Sequence, residues 1–355
     1  MNGERGNILT KNAQITYEGD IRTDHKHLKQ TLLFILLIVI MLLASAWSMT
    51  RGAVSASPKD VWDALQNPGE SATYQVIYEM RLPNVLAAIF GGMGLAASGV
   101  ILQRVMRHPL PDPGTMGMTG GGAFVISLAA LYISDFSVFH YFVASIIGSI
   151  VTSGIVWFLA SRVKRGSMAI RSMFAGTLIL LIIEGSVRLI AQNTDNLISL
   201  WYAPASGIGW SLMNWLIPWF AIGLFGAFTI VFARPATELG KKLIKILPII
   251  VVIELSAGVA LAFGAIAFVG TLVPLLVRRW VSKDDRWVLP ISVILGAILM
   301  VVIGVVNRTL IAPIELPWNF IVSIVGAPIM IYLLCRNAVK EANFKSTPTH
   351  IGKIQ

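Results

Sequence analysis

The sequence predicts an all-α fold, a polytopic bundle of about ten transmembrane helices. Hydrophobic residues fill 55% of the 355 positions and charged residues only 13%, and mean hydropathy is +0.74. Soluble domains rarely have this composition. Apolar runs of about 17 to 25 residues, each long enough to cross a bilayer core, recur from Leu32 to Cys335. Short basic loops separate these runs.

Hydropathy sets the predicted spans and divides the chain into three parts. A transmembrane barrel would show roughly ten-residue segments of alternating polarity, whereas the first run is apolar on nearly every face. We predict an N-terminal segment 1–30, a membrane domain 31–336 and a tail 337–355. The spans are predicted at 31–50, 82–103, 119–134, 139–160, 168–190, 211–233, 246–263, 265–280, 288–307 and 319–335.

Charge placement predicts how the chain lies in the membrane. With an even number of spans both termini lie on one side, and the loops on that side hold most of the basic residues. The positive-inside rule therefore predicts a multi-pass protein of the cell membrane with 1–30 and 337–355 in the cytoplasm. The net charge of +10 follows from this topology rather than from binding to nucleic acid. The basic residues left on the far side are Arg51, Lys59, Arg81, Arg188 and Arg308.

Motifs for ATP hydrolysis, metal binding and nucleophilic catalysis do not occur in the sequence. It has no Gly-x-x-x-x-Gly-Lys-Ser/Thr loop, no His-Glu-x-x-His and no Cys-x-x-Cys, and its five histidines are scattered. No segment outside the spans is long enough for an ATPase domain. We therefore expect a transport protein rather than an enzyme, with no cofactor or metal of its own. If ATP drives it, a separate chain hydrolyses the ATP.

The stretch from Arg81 to Ala123 combines a helix rich in small residues with a broken connection. It reads RLPNVLAAIFGGMGLAASGVILQRVMRHPLPDPGTMGMTGGGA. Its glycines and alanines permit close helix packing, and Pro109, Pro111 and Pro113 do not continue a helix. Backbone groups freed there must be satisfied by protein or water.

Three blocks in order resemble the FecCD family, the permeases of ATP-driven importers for iron siderophores, haem and cobalamin. The first is RLPxxLAA, Gly-x-x-Leu-Ala-x-Ser-Gly-x-x-x-Gln and Pro-Leu-x-Asp-Pro-Gly, within 81–123. The second is GAIAFVGTLVPLLVRR, at 264–279. The third joins Glu315-Leu316-Pro317 to Gly326-Ala327-Pro328. The resemblance spans residues 31–336.

The resemblance implies substrates and partners. The expected substrate is an iron chelate, a hydroxamate-type ferric siderophore, and the alternatives are haem and then cobalamin. An extracytoplasmic binding lipoprotein or periplasmic protein would deliver it, and partner ATPase subunits would bind ATP and Mg²⁺. A second permease chain, identical or different, would complete the path. The sequence departs from the family pattern at Leu275, Gly304 and Trp318-Asn319, where the family has His, Asp and Val-Gly, and these departures leave both kinds of dimer open.

The same resemblance assigns two docking surfaces. Arg81 and Arg308 match positions where the family binds acidic residues of the substrate-binding protein, although both also suit interfacial anchors that reach toward lipid headgroups. The segment 229–240 resembles the part of the family that docks the ATPase, although topology alone explains its charge. The coupling residues expected there are Arg234, Glu238, Leu239, Gly240 and Lys241.

A polar translocation path is predicted from charges inside the spans. Glu184 and Arg188 share a helix face at i and i+4 and can pair there. Such charges should face protein or water, which is consistent with either a path lining or a structural ion pair. Trp201 and Tyr202 in the next loop are candidates for a substrate gate or for an interfacial belt. Buried charges, Glu254 among them, also suit an ion-coupled secondary transporter.

Overall fold

The computed structural model describes residues 27–52, 56–66, 69, 71–133, 137–164, 166–191, 208–233, 237–311 and 316–346. Every regular element in these residues is a helix, which confirms the predicted all-α class. The helices are α1 (His27–Thr50), α2 (Pro58–Gln66), α3 (Ala72–Met106), α4 (Met118–Tyr132), α5 (Val138–Arg162), α6 (Met168–Ala191), α7 (Trp210–Phe232), α8 (Glu238–Phe263), α9 (Val269–Trp280), α10 (Asp285–Thr309) and α11 (Trp318–Ser346).

Each predicted span coincides with one of these helices, and seven in the described part of the chain are long and apolar enough to cross a membrane. Two of the other helices that coincide with predicted spans are shorter. Helix α4 has 15 residues and α9 has 12, so α9 rises only about 18 Å against the roughly 30 Å of a hydrocarbon core. The segment predicted as a span at 265–280 is therefore a short helix preceded by the broken stretch 264–268.

The bundle has two chemically distinct ends. The basic end holds the segments 104–107, 162–164 and 278–286, and the opposite end holds Thr50, Arg81 and Thr309. Helix α1 runs parallel to α10 between them. The ring of His27 lies 6.0 Å from that of Trp287 at the basic end, and Ser48 bonds to Arg308 at the opposite end.

Helix α3 lies at the centre of the bundle, because its small residues allow neighbouring backbones to approach closely. A Cβ on Gly92 would overlap the carbonyl of Gly296 in α10, and one on Gly99 would overlap the carbonyl of Gly270 in α9. Close approach at small residues is the usual way that membrane helices pack, since burial from lipid supplies little driving force.

The first two sequence blocks meet in space beside α3. The connection 107–117 packs against the broken stretch 264–268, and Thr119 Oγ1 donates to the carbonyl of Ile266 at 3.0 Å. Thr271 Oγ1 donates to the carbonyl of Leu110 at 2.7 Å. Side chains in the first turns of α4 and α9 thus satisfy backbone carbonyls of the two irregular segments.

Asp112 joins these segments most extensively. Its carboxylate accepts the N–H groups of Gly114 at 2.8 Å and Thr115 at 3.1 Å within its own turn. It also accepts the N–H groups of Phe268 at 3.2 Å and Thr271 at 3.1 Å. The last two belong to the start of α9, so Asp112 caps that helix from a different part of the chain.

Candidate functional site

Glu184 and Arg188 of α6 line a cavity at the opposite end of the bundle. Arg188 Nη2 lies 2.8 Å from Glu184 Oε1, which is the i, i+4 pairing that the sequence predicts. The cavity has a volume of about 450 Å³, and its other wall is the start of α11, formed by Leu316, Pro317, Asn319, Phe320 and Ser323. The Leu-Pro pair of the third sequence block therefore faces this ion pair, a relationship that sequence reasoning did not predict.

The predicted gate residues Trp201 and Tyr202 lie outside the described residues. The aromatic residue nearest to them in sequence that the structure describes is Trp210, at the start of α7. Its Nε1–H donates to the carbonyl of Tyr78 at 3.0 Å, and the two rings lie 5.1 Å apart. This contact joins the starts of α7 and α3.

The predicted docking residues Arg81 and Arg308 both bind the last turn of α1. Arg81 Nη1 donates to the carbonyl of Met49 at 2.7 Å, and Arg308 Nη2 donates to Ser48 Oγ at 2.7 Å. Carbonyls at the C-terminal end of a helix attract cations. Arg81 is only 6% exposed, so its guanidinium is held inside the bundle end rather than extended from it.

Arg81 is brought to this position by a helical segment that the sequence does not predict. Helix α3 begins at Ala72, before the predicted span, and Gln75–Arg81 is a π-helical segment in which the N–H of Leu82 donates to the carbonyl of Ile77. Such segments are frequent at functional sites. Pro83 in the next turn has no backbone N–H to donate to the helical hydrogen bonds. This proline is the sequence signal for irregular backbone at this point.

Glu254 lies between α7 and α8 with both carboxylate oxygens buried. Neither oxygen has a hydrogen-bond partner among the described residues. The carboxylate packs directly against Gly223 of α7, and the carbonyl of Glu254 accepts Trp219 Nε1–H at 2.9 Å. The side chain faces a neighbouring helix and is separate from the cavity beside Glu184.

The predicted coupling segment forms the start of α8. Arg234 lies outside the described residues, whereas Glu238, Leu239, Gly240 and Lys241 form the first turn of the helix. Thr237 caps this turn, because its Oγ1 accepts the N–H of Gly240 at 3.1 Å. The helix starts at 238, ahead of the predicted span 246–263, so the segment extends α8 beyond its apolar part.

A network of charges at the basic end was missed by sequence reasoning. Arg278 Nη1 lies 2.7 Å from Asp285 Oδ1, and its Nε donates to Gln103 Oε1 at 3.2 Å. Arg104 Nε lies 3.6 Å from Asp285 Oδ2. The network joins α3, α9 and α10 and borders a cavity of about 310 Å³ that Arg107 and His108 also line.

Burial changes the electrostatics of the connection 107–117. It raises the pKa of the Asp112 carboxyl to about 6, against the opposing effect of the four N–H groups that the carboxylate accepts. Burial also lowers the pKa of the His108 imidazole, which keeps that ring neutral at pH 7. The positive charge of this end therefore resides on its arginines and lysines.

The described part of the chain has no set of three or more His, Cys, Asp or Glu side chains placed to hold a metal ion. Polar clusters at the two ends of the bundle include the ion pair beside α11, the two arginines at the end of α1 and the network at the basic end.

Known proteins are similar to this chain over most of its length. The FecCD transport family model matches residues 36–336. The chain is 30% identical over 344 residues to the iron(3+)-hydroxamate import system permease protein FhuB of Bacillus subtilis, covering 91% of this chain and 90% of that protein. It is 31% identical over 322 residues to the hemin transport system permease protein HmuU of Yersinia pestis, covering 84% and 94%.

A solved structure shows the same fold. It is described as an inward-facing conformation of a metal-chelate type ABC transporter, and it matches with a TM-score of 0.67 at 24% identity, covering 86% of this chain and 99% of that one. The fold, the apolar spans and the family match define a multi-pass membrane permease. The chain belongs to the FecCD transport family, which confirms the resemblance carried by the three sequence blocks.

Proposed function

We propose that this chain is the membrane-spanning permease subunit of an ATP-driven importer for an iron chelate, with a ferric hydroxamate siderophore as the first candidate. The observation that carries the proposal is the cavity of about 450 Å³ between α6 and α11, which the Glu184–Arg188 pair lines. The relative FhuB, an iron(3+)-hydroxamate import permease, supports the substrate class.

The ion pair suits a path for a polar cargo. Both partners are partly exposed, Arg188 at 66% and Glu184 at 38% of the side chain, so they offer donors and acceptors to a hydrated chelate without binding it tightly. A transport path must bind its cargo strongly enough for the cargo to enter and weakly enough for the cargo to leave. The cargo passes between two permease chains, whose α6 and α11 surfaces face each other across the path.

Partner subunits supply the energy and the direction of transport. ATP and Mg²⁺ bind to separate ATPase subunits, which dock at the basic end on Glu238–Lys241 and on Arg234. The substrate-binding protein docks at the opposite end near Arg81 and Arg308. ATP binding and hydrolysis then shift the populations of outward-open and inward-open states. Both termini lie in the cytoplasm, which agrees with the basic end facing inward.

Haem is the second candidate cargo. The relative HmuU, a hemin transport permease, is as similar to this chain as FhuB is. The described residues that line the cavity beside α11 do not distinguish one chelate from the other. The associated substrate-binding protein would distinguish a ferric hydroxamate from haem.

Copurification identifies the cargo directly. We expect the chain, expressed with the substrate-binding protein that its host provides, to bring that protein down with an iron chelate bound. The absorption spectrum then distinguishes a ferric hydroxamate from haem. A bound protein loaded with a metal-free small molecule would contradict the proposed substrate class.

A further inference from the structure

A cavity of about 520 Å³ lies near the basic end among α3, α5, α6 and α8, apart from all the sites above. This volume falls within the roughly 300–1,000 Å³ of small-molecule pockets. Neither the proposed path nor the docking surfaces use it. Its walls include Met106, Met116, Met118, Gly154, Trp157 and Ser172.

The walls of this cavity are apolar. Its two serines bond within their own helices, because Ser153 Oγ donates to the carbonyl of Ser149 and Ser172 Oγ donates to the carbonyl of Ala169. An apolar cavity without free donors or acceptors does not hold ordered water. The three methionines are flexible and polarisable, so they fit apolar ligands of varied shape.

The cavity opens on the outside of the bundle. Ile150, Trp157 and Ile249 on its rim are 50%, 56% and 49% exposed. A Cβ placed on Gly154 would meet no atom within 4 Å, so the glycine leaves a gap in the wall. Since this surface of α5 and α8 lies in the membrane, the molecules that reach the opening are lipids.

Two basic side chains lie beyond the opening, toward the basic end of α5 and α6. Arg162 follows Trp157 on α5 by five residues, a rise of about 7.5 Å. Arg171 directly precedes Ser172, and its guanidinium donates to the carbonyl of Val163, which keeps the charge at the turn between α5 and α6. An apolar cavity beside cationic groups complements the two parts of an anionic phospholipid.

We propose that this cavity binds one acyl chain of an anionic phospholipid, whose headgroup lies on the basic turn between α5 and α6. The lipid bridges α3, α5, α6 and α8 close to their ends. Helix α6 also carries Glu184 and Arg188 further along, so the lipid braces the helix that lines the proposed path. The site exists whether or not the cargo is an iron chelate.

Photolabelling tests the site in the full chain. The purified protein is exposed to phosphatidylglycerol with a diazirine on one acyl chain, or to the matching phosphatidylcholine, and labelled peptides are identified by mass spectrometry. We expect labels in 102–118, 150–157 and 249–253, at least about fivefold stronger with phosphatidylglycerol. Equal labelling by the two lipids, or labels outside these segments, would overturn the proposal.

Two glycine variants provide a matched pair. Gly154→Leu fills the opening and should reduce labelling of these segments several-fold. Gly185→Leu is the same change at a glycine of α6 that likewise has no atom within 4 Å of its Cβ position, and it should label like the wild type. If Gly154→Leu also labels like the wild type, the cavity is not the site.

Two further variants test the headgroup and a competing occupant. Arg162→Gln with Arg171→Gln should lower phosphatidylglycerol labelling to the phosphatidylcholine level, and a retained preference would overturn the headgroup assignment. Ile150→Cys in a Cys335→Ser background should form no intermolecular disulfide under oxidation. An intermolecular disulfide there would show that a second copy, rather than a lipid, covers the opening.

Discussion

The carboxylate of Asp112 accepts the backbone N–H of Thr271 at 3.1 Å, although 159 positions separate the two residues in sequence. Asp112 is fully buried and is the point at which the first two sequence blocks meet. The bond caps α9, and α9 carries Arg278 into the network at the basic end. One carboxylate thus links the broken connection to the surface where an ATPase would dock.

Asp112→Asn should destabilise the chain at pH 7. The single amide oxygen replaces two carboxylate oxygens, and the amide NH₂ is placed against N–H donors. Leaving buried donors unpaired costs about 1–3 kcal/mol. Thermal unfolding in detergent measures the effect, with Asp284→Asn, at the exposed cap of α10, as the control. An unfolding temperature equal to that of the wild type would contradict the capping role.

The same residue should make stability depend on pH. The pKa of Asp112 is raised from its ordinary 3.8 to about 6 in the folded chain, so folding favours the protonated form. Its contribution is then fully present below about pH 4 and is lost as pH rises through 6, by about 2–3 kcal/mol. Between pH 4 and 7 the unfolding temperature of the wild type should therefore fall by more than that of Asp112→Asn, which has no carboxyl group to titrate at this position. Parallel pH profiles would count against the shift.

Gly99→Ala should impair folding, because the added methyl group overlaps the carbonyl of Gly270 and backbone cannot move as a side chain would. Overpacking of this kind costs about 1–3 kcal/mol or more. Expression level and unfolding temperature are the readouts. Gly185→Ala, where the space is open, should keep or raise stability, and equal behaviour of the two variants would show that α3 and α9 are not packed this closely.

Glu184→Gln and Arg188→Met should each lower uptake several-fold while the complex still assembles, because each removes one partner of the ion pair that lines the proposed path. Glu79→Gln is a matched change at an exposed glutamate outside the cavity and should transport normally. Assembly is followed by copurification of the subunits. Normal uptake in both path variants would identify the pair as structural.

Arg81→Glu with Arg308→Glu should weaken association with the substrate-binding protein by about tenfold or more, since like charges then face each other. The same arginines hold the end of α1, so unfolding temperature must be measured alongside affinity. Lys59→Glu, a charge reversal at an exposed position of α2, is the control. If the double variant binds the substrate-binding protein with unchanged affinity, the two arginines hold the end of α1 but do not take part in docking.

The spans could be predicted from sequence because hydropathy reports burial in lipid directly. The same signal fails for α9, since Ala265 to Trp280 is apolar enough to suggest a full span although the helix begins only at Val269. Phe268 adopts a φ of 73°, a conformation that is rare for a bulky residue and has no reliable sequence signature.

The candidate site was predictable only where its residues are near in sequence. Glu184 and Arg188 were found because i, i+4 spacing places them on one face. Their position opposite Asn319, and the pairing of Arg278 with Asp285, depend on helix packing that no local pattern encodes. Arg81 is buried at the end of the π-helical segment Gln75–Arg81, which the hydropathy profile does not reveal.

ATP-dependent uptake into proteoliposomes tests the account most directly. The chain is reconstituted with its copurified partner subunits and supplied with a ⁵⁵Fe-loaded hydroxamate siderophore and its binding protein. The account predicts uptake that requires ATP and is abolished by vanadate. Uptake that proceeds without ATP and collapses with an ion gradient would contradict it, and would identify an ion-coupled secondary transporter instead.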